Sequence, residues 1–214
     1  LAKELNDASD GQFKAAPLLM MRGGLEAGQS EQKQGRGGLR VGGVMVYGVD
    51  QRFWAMTQHG NMGPPSPGQV ILSEGVSRQL ERVLGKDDTV RLWMELPSAI
   101  PRDTLLGERN EDTINLSLKV QAVIGTGDEQ ARRGVGRFGL NPSQQLPKVA
   151  FVALETLQEV LGMNTRRVRN REKRRFDVFP GRVNSLVFHS QKPGDDDRDQ
   201  IRDLLAKRVS LDDL

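Results

Sequence analysis

The chain contains no cysteine. Disulfides, thiol nucleophiles and cysteine-ligated metals are therefore excluded, while the compartment stays open, since a periplasmic domain can also lack cysteine. Histidine is nearly as scarce, with only His59 and His189. They stand far apart and outside any H-E-x-x-H pattern, so a zinc site is not expected. No apolar run approaches the roughly 18 residues that mark a membrane-spanning helix. The opening residues, LAKELNDASDG, do not read as a signal peptide. The chain begins at Leu1 without an initiator methionine, and a segment of a longer protein is the expectation. There is no G-x-x-x-x-G-K-[ST] run either, so the chain brings no P-loop of its own.

What remains is 214 residues, enough for one medium domain or two small ones. With 36% hydrophobic and 5% aromatic residues, 24 glycines and 10 prolines, it reads as a lean, loop-rich globular protein. Charged residues of both signs make up 28%, which argues against wholesale disorder. The net charge of +3 is unevenly spread: 166–175 (RRVRNREKRR) holds seven basic residues and one acidic, a local +6. The other 204 residues therefore sum to −3, and the protein as a whole is no polycation.

Along the chain, a short helix at the N-terminus precedes a buried strand over 13–22, and 23–38 reads as a glycine- and glutamine-rich hairpin tip or mobile loop. A long strand over 39–50 runs into a helical turn at 51–56 that buries Phe53 and Trp54. The stretch 61–68 (NMGPPSPG) cannot be regular structure and marks a boundary. Beyond it comes a compact unit: a strand at 69–73, with Ser73 as helix cap, and a helix at 74–84 with Gly85 as stop. Two alternating strands, 89–96 and 114–125, are joined by a long connection, 97–112. A further loop, 125–147, leads to a strand at 148–154, a helix at 155–162 stopped by Gly162, a strand at 182–190 and a final helix. The expected class is α+β.

Few motifs withstand their plain readings. GVGRFG, 134–139, matches G-x-G-x-x-G, but no strand precedes it and no helix follows, so a loop is expected rather than a dinucleotide site. Ser73 lies in LSEG, not G-x-S-x-G, and capping is the better reading. Asp195, Asp196, Asp197 and Asp199 lack EF-hand spacing and suit the start of a helix. No catalytic, cofactor or metal site is expected. The sharpest oddity is the basic stretch: Arg166, Arg167, Arg169, Arg171, Lys173, Arg174 and Arg175. Its cations suit phosphates, lipid headgroups or an acidic partner, and no aromatic interleaves them in sequence for base stacking. A solvated loop is the expected conformation.

The order of segments carries a resemblance. A strand end with Val46, Gly48, Val49, Asp50 and Phe53 is followed by QVILSEGVSRQLERVLG. A strand ending Val120, Ala122, Val123, Ile124, Gly125 comes next, then AFVALETLQEVLG and VNSLVFHS. Taken together, nearly the whole chain resembles the extracytoplasmic domain of MacB/FtsX-type ABC transporter permeases, the family that includes lipoprotein-releasing permeases. The resemblance implies a two-lobed α+β fold: a discontinuous Porter-like lobe of βαβ units from 1–62 and 141–214, around an inserted Sabre-like mixed α/β lobe at 63–140. It implies a periplasmic segment of an inner-membrane protein, non-enzymatic and without cofactor, that transmits ATPase-driven motion. Its partners would be the transmembrane remainder of the permease, a separate cytoplasmic ATPase subunit and an extracytoplasmic partner or cargo, and the full transporter could pair as a homodimer. The sequence departs from the family pattern at Gly85-Lys86-Asp87-Asp88-Thr89-Val90, which carries an insertion, and in the longer stretches 97–112 and 163–175. The competing reading is a stand-alone nucleic-acid or anionic-surface binding module using 166–175. A small hydrolase built on Ser73 ranks last.

Overall fold

A computed structural model describes residues 2–9, 11–27, 39–59, 61–80, 84, 86, 88–95, 113–125, 129–140, 145–170, 175–190 and 195–208. The expected connection at 97–112 and most of the glycine-rich loop, 28–38, lie outside these residues. In chain order the elements are α1 (Ala2–Ala8), β1 (Phe13–Ala27), β2 (Arg40–Val49), α2 (Gln51–Met56), β3 (Gln69–Ser73) and α3 (Glu74–Gln79). Then follow β4 (Thr89–Glu95), β5 (Thr113–Ile124), α4 (Glu129–Arg133), β6 (Val149–Ala153) and α5 (Leu154–Val160). The last are β7 (Arg166–Asn170), β8 (Arg175–Phe179), β9 (Ser185–Ser190) and α6 (Asp195–Arg208).

Six strands close into a barrel-like sheet in the order β1-β2-β6-β3-β5-β4 and back to β1, and β9 adds to β1. β1 makes this possible by its length. Its residues 13–18 pair with β9, 19–26 with β2 and 23–27 with β4. Between the β9 and β4 stretches, the Asn184 side-chain amide accepts from the Met20 N–H (2.8 Å) and donates to the Met20 carbonyl (2.7 Å). An amide thus stands in for a strand partner and leaves no orphan backbone group there. Strands from 13–50 pair with strands from 148–190, as β1–β9 and β2–β6. β5 pairs with both β3 and β4, and these three are joined to that set by β1–β4 and β3–β6, so strands of both sets belong to one sheet.

The pairing has an internal symmetry. Exchanging β1-β2-α2-β3-α3 with β4-β5-α4-β6-α5 maps antiparallel β1–β2 onto β4–β5 and parallel β2–β6 onto β5–β3. The antiparallel pairs β1–β4 and β3–β6 map onto themselves, with Ile71 opposite Phe151 at the centre of the second. The fold is a barrel of two ββαβα halves related by a pseudo-two-fold axis.

Alternation along the strands sorts the apolar side chains into two clusters. All six barrel strands feed the inner one, with Leu25, Val46, Leu72, Leu92, Val120 and Val152 among its members, and Val76 of α3 and Leu157 of α5 join it. The alternate residues Tyr47, Val49, Ile71 and Phe151 form the outer cluster beneath Phe53 and Trp54 of α2, Ala131 of α4 and Val135.

Several expectations change. The strand expected to stop at residue 22 runs through Gly23 and Gly24 to Ala27, because those glycines allow β4 to approach closely. The loop expected over 125–147 contains α4 and a 3₁₀ turn, Val135–Arg137, whose apolar residues complete the outer cluster. The helix expected over 74–84 is shorter, with Leu80 as its C-cap. Gly162 stops α5 as expected: at φ +66 it lets its own N–H reach Glu159 O (3.1 Å) and the Met163 N–H reach Gln158 O (2.7 Å), a Schellman closure.

Candidate functional site

Ser73 sits at the N-cap position of α3 but makes no capping hydrogen bond. Its buried hydroxyl instead donates to the Pro147 carbonyl (2.6 Å) and accepts from the Val149 N–H (2.9 Å). The expected cap is thus a clamp between the two halves of the barrel, drawn from the helix by the backbone that leads into β6. A hydroxyl committed in this way is poorly placed to act as a nucleophile, and no histidine is among its hydrogen-bond partners.

The two histidines serve different surfaces. His59 stacks on Trp54, with ring centroids 5.6 Å apart and 24° between planes. His189 is exposed on β9, opposite Lys14. Among the described residues, no group of three or more His, Asp or Glu could hold a metal ion. The GVGRFG run is no phosphate loop. A Cβ on Gly134 would lie 2.2 Å from the Gln58 carbonyl oxygen, and one on Gly136 would lie 2.5 Å from the Ile124 side chain. Close packing, rather than ligand approach, is what these two glycines serve.

The run also delivers Phe138 to Tyr47 (5.2 Å between centroids, 73°) and to Phe53 (5.0 Å, 84°) in edge-to-face contact. Tyr47 is the only tyrosine in the chain. Burial raises its phenol above the ordinary 10.0, against the lowering influence of a hydrogen bond with the Leu140 backbone. Folding therefore favours the neutral phenol. This contribution to stability is intact below pH 10 and is lost as pH rises through the elevated native value. Tyrosinate absorbance should accordingly appear at higher pH in the native chain than in urea. Coincident titrations would show that the phenol is not buried as described.

Where it is described, the basic stretch is not a loop: Arg166–Asn170 and Arg175–Phe179 pair as a two-stranded antiparallel ribbon, β7–β8. Its base is fixed to the end of α5. The Arg182 N–H bonds the Met163 carbonyl (2.8 Å), Gly181 N–H bonds Thr165 Oγ1 (3.1 Å), and Arg166 donates to the Gly162 carbonyl (2.6 Å). Arg166 is thus an anchor as well as a cation. Opposed residues share a face. Arg167 with Val178 and Arg169 with Phe176 form one face, and Arg166 with Phe179 and Val168 with Asp177 form the other. The aromatics missing from the basic run itself are therefore supplied by its pairing partner. Arg171, Lys173 and Arg174 lie outside the described residues, and the side chain of Arg175 does too. The signal was present in sequence as RFDVF, whose alternation is too short to stand out beside a run of charge.

No protein-family model matches this chain, and no curated protein matches it.

Proposed function

We propose that this chain is the extracytoplasmic domain of an ABC transporter permease of the MacB/FtsX type, carrying ATPase-driven motion to a partner or cargo outside the cytoplasm. The observation that supports it most is the path of the chain through β1. Phe13, where the chain enters the sheet, pairs with Ser190, where it leaves, so the arriving and departing segments run side by side. An insert between two membrane helices requires this return. The segments that carry the family resemblance also do structural work: Val46, Val49, Phe53, Val120, Ile124, Phe151 and Leu157 are all buried. A closed barrel with two apolar clusters suits a body that moves as a unit and passes force on.

The test exploits this chain's lack of cysteine, with any cysteine elsewhere in the full-length protein first changed to serine. Ser66→Cys, at an exposed position, is placed in the full-length protein and treated with a membrane-impermeant maleimide in intact cells or spheroplasts. The expected result is labelling without lysis, on a membrane-bound product whose gene encodes spans of about 20 apolar residues on both sides of this segment. Labelling only after lysis, or a gene without such spans, would overturn the reading in favour of a stand-alone module.

A further inference from the structure

We propose that the β7–β8 ribbon is a docking element for an anionic phospholipid surface. The inference stands apart from the permease reading. Four of the seven exposed large apolar side chains among the described residues lie on this ribbon: Val168 (52%), Phe176 (63%), Val178 (57%) and Phe179 (56%). The ribbon is also where the cations gather, with Arg167 and Arg169 exposed on it within the stretch whose sequence totals +6. A ribbon of two strands with both faces in water is marginal by itself. Exposed apolar groups concentrated on such an element mark a contact surface.

The chemistry of the two faces selects the occupant. On one face Arg167 and Arg169 stand opposite Val178 and Phe176, so each guanidinium can reach headgroup phosphate while its neighbour enters the acyl boundary. The other face adds Val168 and Phe179, with Asp177 across from Val168 as the one acidic residue of the two described strands. Nucleic acid would use the arginines and the phenylalanine rings. It has no use for exposed valines on opposite faces, since an aliphatic side chain offers no stacking surface. A bilayer interface uses all of them. A two-stranded ribbon, as β7–β8 is among the described residues, stays at headgroup depth, because backbone groups outside a closed sheet do not enter hydrocarbon.

The experiment uses the whole 214-residue chain and vesicles of equal parts phosphatidylglycerol and phosphatidylcholine at about 0.15 M salt. Phe176→Cys carrying an environment-sensitive dye should shift to the blue on these vesicles and stay unshifted on phosphatidylcholine alone. Arg167→Ser with Arg169→Ser should weaken vesicle binding about 25-fold, at about fivefold per arginine near an anionic surface. Phe176→Ser with Val178→Ser should weaken it about tenfold or more by removing apolar burial. Both pairs should leave the melting temperature nearly unchanged, which separates lost docking from lost fold. Binding to duplex or single-stranded DNA without vesicle binding overturns the proposal in favour of nucleic acid. Concentration-dependent self-association abolished by the same variants overturns it in favour of a second copy of the chain. Absence of vesicle binding, or binding that ignores both variant pairs, also overturns it.

Discussion

Phe151→Ala is expected to destabilise the chain by about 3–5 kcal/mol, the range for removing a fully buried phenylalanine. Phe151 is fully buried in the outer cluster, and its ring centroid lies 5.8 Å from those of Tyr47 and Trp54, 6.2 Å from Phe53 and 6.3 Å from Phe138. These neighbours come from β2, from α2 and from the segment after the 3₁₀ turn, and they share no single element that could shift to fill the void. The position is also special in the topology, because Phe151 faces Ile71 at the centre of β3–β6. A cavity there loosens both halves of the barrel together. Urea unfolding checks this: the midpoint should fall with the slope little changed. Leu140→Ala, at a half-exposed position (51%), should stay within about 0.5 kcal/mol. A loss below about 1 kcal/mol for Phe151→Ala would show that the aromatic cluster is not the close-packed body described.

Strands were more legible in the sequence than closure. Alternation in TVRLWME and INLSLKV placed β4 and β5, and Val46, Val49 and Phe53 disclosed the end of β2 and the buried face of α2. Closure depends instead on which strands pair, and period-two alternation is silent about partners. The pseudo-two-fold repeat was hidden for a related reason. QVILSEG and VAFVALE occupy equivalent places with few shared letters, since packing asks only for apolar residues of suitable volume. The helix α4 has only 5 residues, too short for a helical stripe to register. The basic ribbon misled by composition, because a run of charge normally belongs in a solvated loop and strand pairing was needed to bring Phe176 and Phe179 beside the arginines. Ser73 was found at its N-cap position, but the group that claimed its hydroxyl lies 74 residues away in sequence, at Pro147.

Gly23→Ala is expected to cost about 3 kcal/mol, clearly more than Gly24→Ala at the adjacent position, through overpacking against fixed atoms. A Cβ on Gly23 would lie 2.0 Å from the Trp93 carbonyl oxygen and 3.2 Å from the Met94 Cα, both of them backbone. At Gly24 the nearest atom would be 2.2 Å away, but it belongs to the Trp93 indole, a side chain that can swing aside. Gly23 cannot escape by moving its own strand, because β1 is bonded on both edges here, to β2 through Val44 and to β4 through Met94. The only relief is to part β1 from β4, the seam that closes the barrel between its halves. Hydrogen exchange should therefore show amides of β4 and β5 losing protection in Gly23→Ala, while β2–β6 changes least. Equal stability of the two variants, or a larger loss at Gly24, would mean that β1 and β4 do not meet in this register. Under the permease reading proposed above, an opened seam dissipates force, and Gly23→Ala in the full protein is expected to uncouple ATP hydrolysis from transport in chains that still fold.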